Sequence, residues 1–580
     1  MRLVAGPIGV AALAVAALFI NPTATDARGL PETGRPKSAT PPSALNAPTF
    51  CAATHDVGAI ALGVTNAGTT GAGFYPQPSP TDCFTGLLVP GCQFPKESTI
   101  DHLFGATLWV GTVVDGDTLV SVGTDGWQWC REFNPNQAPP DHMIYRSIYG
   151  PDAEHAVSEE DFISVYTDTF TSGVGELCDD IIDHRPHKPL PVEVTEKSYA
   201  WSIDQVSKVV FVELGIRNIG TKTLNDAYVG LYVDADVGST LGQPYRDDLA
   251  GLLRIDRDSN GCGVDHTPIL VPYIGDNDGD PGTMYPAPSV IGLTFIRVPR
   301  DSAKYSFQWW QSNGDVRMDW GPRRKDLLRD FGTGGKGTPE GDRNKYFMMS
   351  SGEQDYDQAR TYSIQPTDPV WEYPDEALSV NISHGNDARF LFSVGPFTVE
   401  PQQELPLVYA WVVGDSVHRD PTNLQYLPEH PDTYLANLDF SDLTRSVRAA
   451  HRFYDNPGVD TDQDGYMGPY VTCCFESTLV TPDIYGCTFA DTVFTAGDGF
   501  ADWSTYTPPC CFGRTGNVNE TGIVDLSDLS ALISYLTGGG YVPPCPEAAN
   551  VNGADIIDLT DLTGLVSYLT GAGYMRPRCP

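Results

Sequence analysis

The chain has 580 residues, with 36 Lys and Arg against 75 Asp and Glu, for a formal net charge of −39. That excess excludes a general nucleic-acid binder, which needs a basic footprint for phosphate, and it argues against docking on an anionic membrane surface. Hydrophobic residues at 41%, aromatics at 11% and only 19% charged residues exclude disorder as the source of the charge, so carboxylates held for divalent cations are the first reading, in a chain long enough for two to four domains.

The first segment, MRLVAGPIGVAALAVAALFINPTATDARG, has a basic start at Arg2, an apolar stretch from Leu3 to Ile20 and small residues near Ala27. It reads as an export signal over residues 1–27, the other reading being an uncleaved N-terminal anchor. The protein is therefore expected outside the cytoplasm, secreted or at the cell surface. No later apolar run approaches the ~20 residues that span a bilayer, so no transmembrane span is expected. Thirteen cysteines suit an oxidising compartment. The odd number leaves at least one thiol free or paired between chains, and the spacings do not set the connectivity. Residues 28–48 are rich in Pro, Ser and Thr and read as a flexible leader.

From residue 49 to 195 the texture is β-rich, with alternating runs such as AIALGV (59–64), ATLWV (106–110) and DTLVSV (117–122). A second β domain is expected over 196–458. KVVFVELGIR (208–217) and DAYVGLYV (226–233) flank a turn at 218–220, and ARFLFSV (388–394) and LPLVYAWVV (405–413) follow later. This strand–turn–strand pattern resembles immunoglobulin-like extracellular β-sandwiches. The expected fold class is thus mainly β, with immunoglobulin-like sandwich domains followed by a small α-helical module. Residues 300–365 read as a long excursion between strands. Leu438–Tyr454 reads as a helix, with Leu443, Val447, Ala450 and Phe453 at helical intervals and Ser441 or Asp442 as its cap.

Three groups of acids have the spacing of oxygen ligands for calcium (Ca2+). Asp460, Asp462 and Asp464, before Gly465, alternate in a D-x-D-x-D-G string that opens a Cys-, Thr- and Pro-rich linker over 459–509. Asp276, Asp278 and Asp280 repeat the spacing, and Asp234 and Asp236 at a strand end are candidates to share their site. Asp183, His184 and His187 in DHRPH form a weaker zinc candidate lacking a further ligand; a structural turn is the competing reading.

The C-terminal segment, 510–580, contains a duplication. GNVNETGIVDLSDLSALISYLTGGGY (516–541) and ANVNGADIIDLTDLTGLVSYLTGAGY (549–574) share 16 of 26 positions, and Cys511, Cys545 and Cys579 recur every 34 residues. In the first loop Asn517, Asn519, Thr521, Asp525 and Asp528 take places one, three, five, nine and twelve of a calcium loop, with Gly522 at the sharp sixth place. Asn550, Asn552, Asp558 and Asp561 repeat this, but Ala554 and Asp555 weaken the middle of the second loop. Each loop is followed by an apolar helical stripe.

A loop and one helix, twice, resembles a type I dockerin module. The matching residues are the NVN openings, the ninth-place Asp, the twelfth-place Asp followed by Leu, and the Ser-Tyr-Leu helix ends. The neutral first-place Asn residues depart from the usual Asp. The resemblance implies bound calcium and docking to a cohesin-like partner through the helices; a structural end cap is the competing reading. The body, through segments such as LFGATLWVGTVVDGDTLVSVGTDGW (103–127), resembles uncharacterised secreted β-rich proteins of environmental bacteria and imports no catalytic residues from them.

There is no G-x-S-x-G elbow and no H-E-x-x-H. The G-x-G-x-x-G at 332–337 follows a charged run rather than a strand and reads as a loop. Glycoside hydrolysis needs only two carboxylates, for which Glu159, Glu160, Asp161, Glu340 and Asp342 are candidates, with Trp127, Trp129, Trp309, Trp310 and Trp320 as carbohydrate platforms or, more simply, core. The favoured expectation is a non-catalytic, calcium-binding extracellular binding or structural protein, attached through its C-terminal module and capable of self-association through strand edges. The alternative is a polysaccharide-active hydrolase tethered by the same module.

Overall fold

The structure is a computed structural model that describes residues 49–74, 80–126, 130–136, 143–170, 174, 177, 179–242, 246–255, 268–299, 303–312, 317–327, 337–454, 515–519, 524–554, 556–571, 574 and 576, with the backbone alone of 470–481 and 484–494. The signal and leader segments, Asp460, Asp462, Asp464, Thr521, Trp127 and Trp129 lie outside them. The chain divides into two compact units, Met1–Gly499 and Phe500–Pro580.

The larger unit is mainly β, built on two antiparallel sheets of 11 and 9 strands among the described residues. The principal strands are β1 (Ala61–Thr65), β2 (Gly105–Val114), β3 (Asp117–Val122), β4 (Glu160–Thr167), β5 (Val192–Ala200), β6 (Val209–Asn218), β7 (Leu224–Asp234), β8 (Asp248–Ile255), β9 (Ile269–Asp276), β10 (Val290–Arg297), β11 (Lys304–Gln311), β12 (Ala388–Val399) and β13 (Glu404–Gly414). One sheet contains the run β2–β7–β12–β11, with β3 and β1 towards its other side. The second runs β8–β9–β10–β13–β6–β5–β4.

Local chemistry explains several of these elements. β2 and β3 are joined by Asp115 and Gly116, both at positive φ (54° and 88°), with Val114 opposite Asp117. Asp-Gly tolerates that backbone, whose twist matches a hairpin. β5 alternates buried and half-buried side chains from Val192 to Ser198, as a strand packed on one face must. The sheets share one core: Leu231, Phe390 and Phe392 of the first are buried in the same cluster as Leu214, Leu293 and Trp411 of the second, and the Phe295 and Phe392 rings meet across it at 5.1 Å.

Residue 195, the expected domain boundary, lies inside β5, and strands from both sides of it enter both sheets. The expected excursion 300–365 contains β11, whose Trp309 and Trp310 are buried and paired with Phe390 and Arg389 of β12. It also contains helix α1 (Gly341–Ser350). Trp309 donates to the Tyr356 carbonyl, Trp310 to Thr338 Oγ1, and Trp320 is also buried. These three indoles are core and offer no sugar platform.

Helix α2 (Glu376–His384) precedes β12, and α3 (Ser441–Tyr454) turns Leu443, Val447, Ala450 and Phe453 onto β10 and β13. A Cβ on Gly414 would lie 2.5 Å from the Leu443 Cβ, so glycine permits that close approach. Asp439 accepts the Ser441 N–H at the helix start, and Asp442 pairs with Lys208 at 2.7 Å. Within the expected linker, Tyr470–Thr481 and Ile484–Phe494 pair as antiparallel strands.

The smaller unit holds α4 (Leu526–Leu536) and α5 (Leu559–Leu569), packed on each other. Its core pairs equivalent residues of the two repeats: Val518 with Val551, and Leu532 with Leu565. No helix among the described residues is long and apolar enough to cross a membrane. Cys51 is bonded to Cys83, Cys130 and Cys545 are also in disulfides, and Cys92 is a free, buried thiol.

Candidate metal centres

Antiparallel pairing brings carboxylates from distant parts of the chain to one place. β8 begins with Asp248 directly opposite Asp276, the last residue of β9. β7 ends with Asp234 opposite Arg389, and Asp387 immediately precedes β12. Strand ends from both sheets therefore contribute to one acidic region.

The DNDGD loop after β9 is held by its backbone. Asp276 Oδ1 accepts the N–H groups of Asp278 and Gly279, and Asp278 Oδ1 accepts that of Asp280 at 2.8 Å. Gly279 and Asp280 both take positive φ, 76° and 54°. Tyr434 donates to the Asn277 carbonyl at 2.6 Å, and the ring of His418 lies 2.8 Å from the Asp276 carbonyl through Nε2. With the backbone pinned this way, one carboxylate oxygen from each of Asp276, Asp278 and Asp280 lies within 4.8 Å of the others. Such a group can hold a hard cation.

Asp234 and Asp236 do not join that group. They gather with Asp387, again within 4.8 Å. Arg389 bridges two of these acids, with Nε 2.9 Å from Asp234 and a terminal nitrogen 2.9 Å from Asp387. Asp248 stands between the two groups, fully buried. Its Oδ2 accepts the Val237 N–H at 3.2 Å, while Oδ1 has no hydrogen-bond partner.

Burial dominates the electrostatics here. Burial, followed by Asp247, pushes the Asp276 carboxyl up to about 8, and burial followed by Asp280 and Asp278 pushes Asp247 up to about 6. Asp248 and Asp236 rise well above the carboxylate range, again through burial first; Asp236 is the next cause for Asp248, and Asp387 for Asp236. Desolvated carboxyls crowded by like charge hold protons unless a cation replaces them.

A second polar cluster is differently built. His187 lies 3.0 Å from Glu132 through Nδ1 and 2.7 Å from Asp168 through Nε2. Ser121 donates to the other oxygen of Asp168. Burial opposes the imidazolium, but the hydrogen bonds to Asp168 and Glu132 outweigh it and hold His187 up at about 10. Alongside, Arg185 reaches Asp342 at 2.6 Å and Asp180 at 3.4 Å. Buried Lys345 is raised against the desolvation penalty by Asp125, Glu132 and Asp342. His187 thus pairs with Glu132 and Asp168 rather than with its sequence neighbour Asp183, which turns to Arg343 at 2.6 Å. The three-residue group could still accept a metal in place of its protons, but charged His187 already satisfies both acids.

The other acids considered for hydrolysis have structural partners. Glu160 accepts the Asp56 and Val57 N–H groups, Asp161 those of Val157 and Ser158, and Glu159 accepts from Ser202.

In the C-terminal module the loops are near-copies. Asp528 accepts the N–H groups of Asn519 (3.1 Å) and Asp525 (2.8 Å); Asp561 accepts those of Asn552 (2.9 Å) and Asp558 (2.8 Å). Asp525 and Asp558 cap their helices through Ser527 and Thr560, which hold both carboxyls below their ordinary range. The twelfth-place acids are fully buried, and the first-place Asn550 Oδ1 is buried with no hydrogen-bond partner. Asn517 lies at the corresponding point of the first repeat.

The sequence pointed to Asp276, Asp278, Asp280, Asp234 and Asp236, and to the module loops, but missed Asp248, Asp387, Glu132 and Asp168. A strand register could have flagged Asp248. No family model matches the chain, and no curated protein matches it.

Proposed function

We propose that this chain is a secreted, calcium-binding, non-catalytic binding or structural protein, attached to an extracellular surface or assembly through its C-terminal dockerin-like module. The observation that carries the calcium part is the concentration of buried carboxylates at the ends of β7, β8, β9 and β12 with so few basic partners. An all-oxygen donor set of this kind suits calcium rather than zinc or copper. The immunoglobulin-like reading of the body is supported by sequential strands that alternate between sheets, β6 to β7 and β12 to β13.

The docking part is supported by a duplicated exposed face. Leu526 and Ile533 of α4, seven residues apart and so on one face, recur as Leu559 and Val566 of α5, all exposed. Two equivalent apolar faces suit a cohesin-like protein partner or a second copy of the chain. A mature chain immobilised in calcium is expected to capture a surface protein and to release it in chelator. A variant carrying Leu526→Ser and Leu559→Ser should capture none. Capture that survives both chelation and the double substitution would overturn the docking reading, and unchanged melting in chelator would overturn the calcium reading.

A further inference from the structure

We propose that Asp236 and Asp248, backed by Asp234 and Asp387, form a second calcium site, separate from the Asp276–Asp280 loop, which ties the end of β7 in one sheet to the start of β8 in the other. This rests on the reading of the chain as calcium-binding and adds a site to it.

Three observations carry it. The ligand oxygens of Asp234, Asp236 and Asp387 already converge within 4.8 Å. Asp248 is fully buried with Oδ1 unpartnered, while its Oδ2 is fastened to the N–H of Val237, the residue after Asp236. That anchoring fastens the Asp248 carboxylate to the turn after Asp236, next to the group formed by Asp234, Asp236 and Asp387. Third, Arg389 is engaged by Asp234 and Asp387, and among the described residues neither Asp236 nor Asp248 forms an ion pair. A buried carboxylate oxygen with no donor is costly, and a divalent ion answers both the missing contact and the missing charge. The donors are all oxygen, which selects a hard cation, and calcium accepts the irregular geometry of four carboxylates from three strand ends better than magnesium does.

The site forms only when the two sheets are assembled, because β7 and β8 belong to different sheets. The ion would act as a cross-sheet tie, whereas the Asp276 loop binds within one turn.

The test counts calcium bound to the full mature chain after dialysis against a fixed free concentration, for wild type, Asp236→Asn, Asp278→Asn and the double variant. Each single variant is expected to lose one ion and the double variant two. Asp248→Asn should behave as Asp236→Asn, and both should lower the melting temperature in calcium but not in chelator. If the double variant loses no more than either single one, the acids share one site, and this proposal fails while the calcium reading stands. A variant melting equally low in chelator and in calcium would assign the acids a purely structural role and also overturn it. A wild-type chain that binds no calcium would remove the calcium reading itself. Magnesium dialysis alone should leave the count near zero; retention of magnesium in place of calcium would overturn the choice of ion.

Discussion

Two regions of this protein bury several carboxylates each and neutralise them differently. Around Glu132, Asp168 and Asp342 the chain supplies its own cations, His187, Arg185 and Lys345. Around Asp236, Asp248 and Asp276 the described residues supply Arg389, already shared by Asp234 and Asp387, and burial first, then the neighbouring acids, pushes these carboxyls upward. The first region is complete as folded. In the second, no cation among the described residues forms an ion pair with Asp236, Asp248 or Asp276, which is what the proposed cation sites would answer. Buried acids alone therefore say little about metal binding; the balance of cations around them is the informative quantity.

Chelation should expose that contrast most strongly. At free calcium 100-fold above Kd, each site contributes about 2.7 kcal/mol to stability, so a chain with two body sites should lose roughly twice that in chelator. Thermal melting of the mature protein, with and without calcium, checks it; identical curves would place both regions in the self-sufficient class. Next in size is His187→Gln. It leaves Glu132 and Asp168 facing each other without their shared cation, and removing one partner of a buried ion pair costs about 3–5 kcal/mol. Urea unfolding should show that loss equally in calcium and in chelator. A loss confined to one condition would mean that the clamp is coupled to bound metal.

The sequence showed the first contrast only in part. Asp276, Asp278 and Asp280 were legible because their spacing lies within one turn, where local chain geometry decides convergence. Asp248 and Asp387 were not, because the β8–β9 register and the start of β12 bring them in. His187 was visible, but reading it with adjacent Asp183 and His184 gave the wrong neighbours. Its real partners come from remote segments. The same limit applied to the fold. Alternation revealed β6, β7, β12 and β13, yet it could not say that successive strands go to different sheets. β11 was hidden because charged and glycine-rich flanks surround an otherwise strand-like KYSFQWWQ.

The regions should also separate by pH. In chelator, Asp247 and Asp276 rise from an ordinary value of 3.8 to about 6 and about 8. The folded state therefore holds more protons than the unfolded one across that window, so stability is full below pH 3.8 and falls as pH rises through 6 and 8. His187 rises from 6.5 to about 10; its contribution is full below pH 6.5 and is lost as pH rises through 10. Glu196, up at about 7 through burial, and Asp342, up at about 6 through burial and then Glu132, add to the acid-side slope with or without calcium. Between pH 4.5 and 6.5, the fall in stability should thus be steeper in chelator than in calcium. His187→Gln should flatten only the alkaline limb. Equal acid-side slopes in the two conditions would break the assignment of the unpaired acids to a cation site.

The smallest effect is expected in the module, where the ninth-place acids, exposed at Asp525 and half-buried at Asp558, fall outside both regimes. Asp525 and Asp558 act as helix caps, each accepting an N–H and a hydroxyl from the residue two places on. Asparagine caps a helix about as well as aspartate does but brings a calcium loop no charge. Asp525→Asn with Asp558→Asn should therefore leave melting in chelator unchanged and reduce only the extra stability that calcium confers on the module. A loss of the same size in chelator would show that these carboxylates serve the helices alone, and the contrast between self-sufficient and cation-dependent acids would then belong to the β body, with the double repeat on the self-sufficient side.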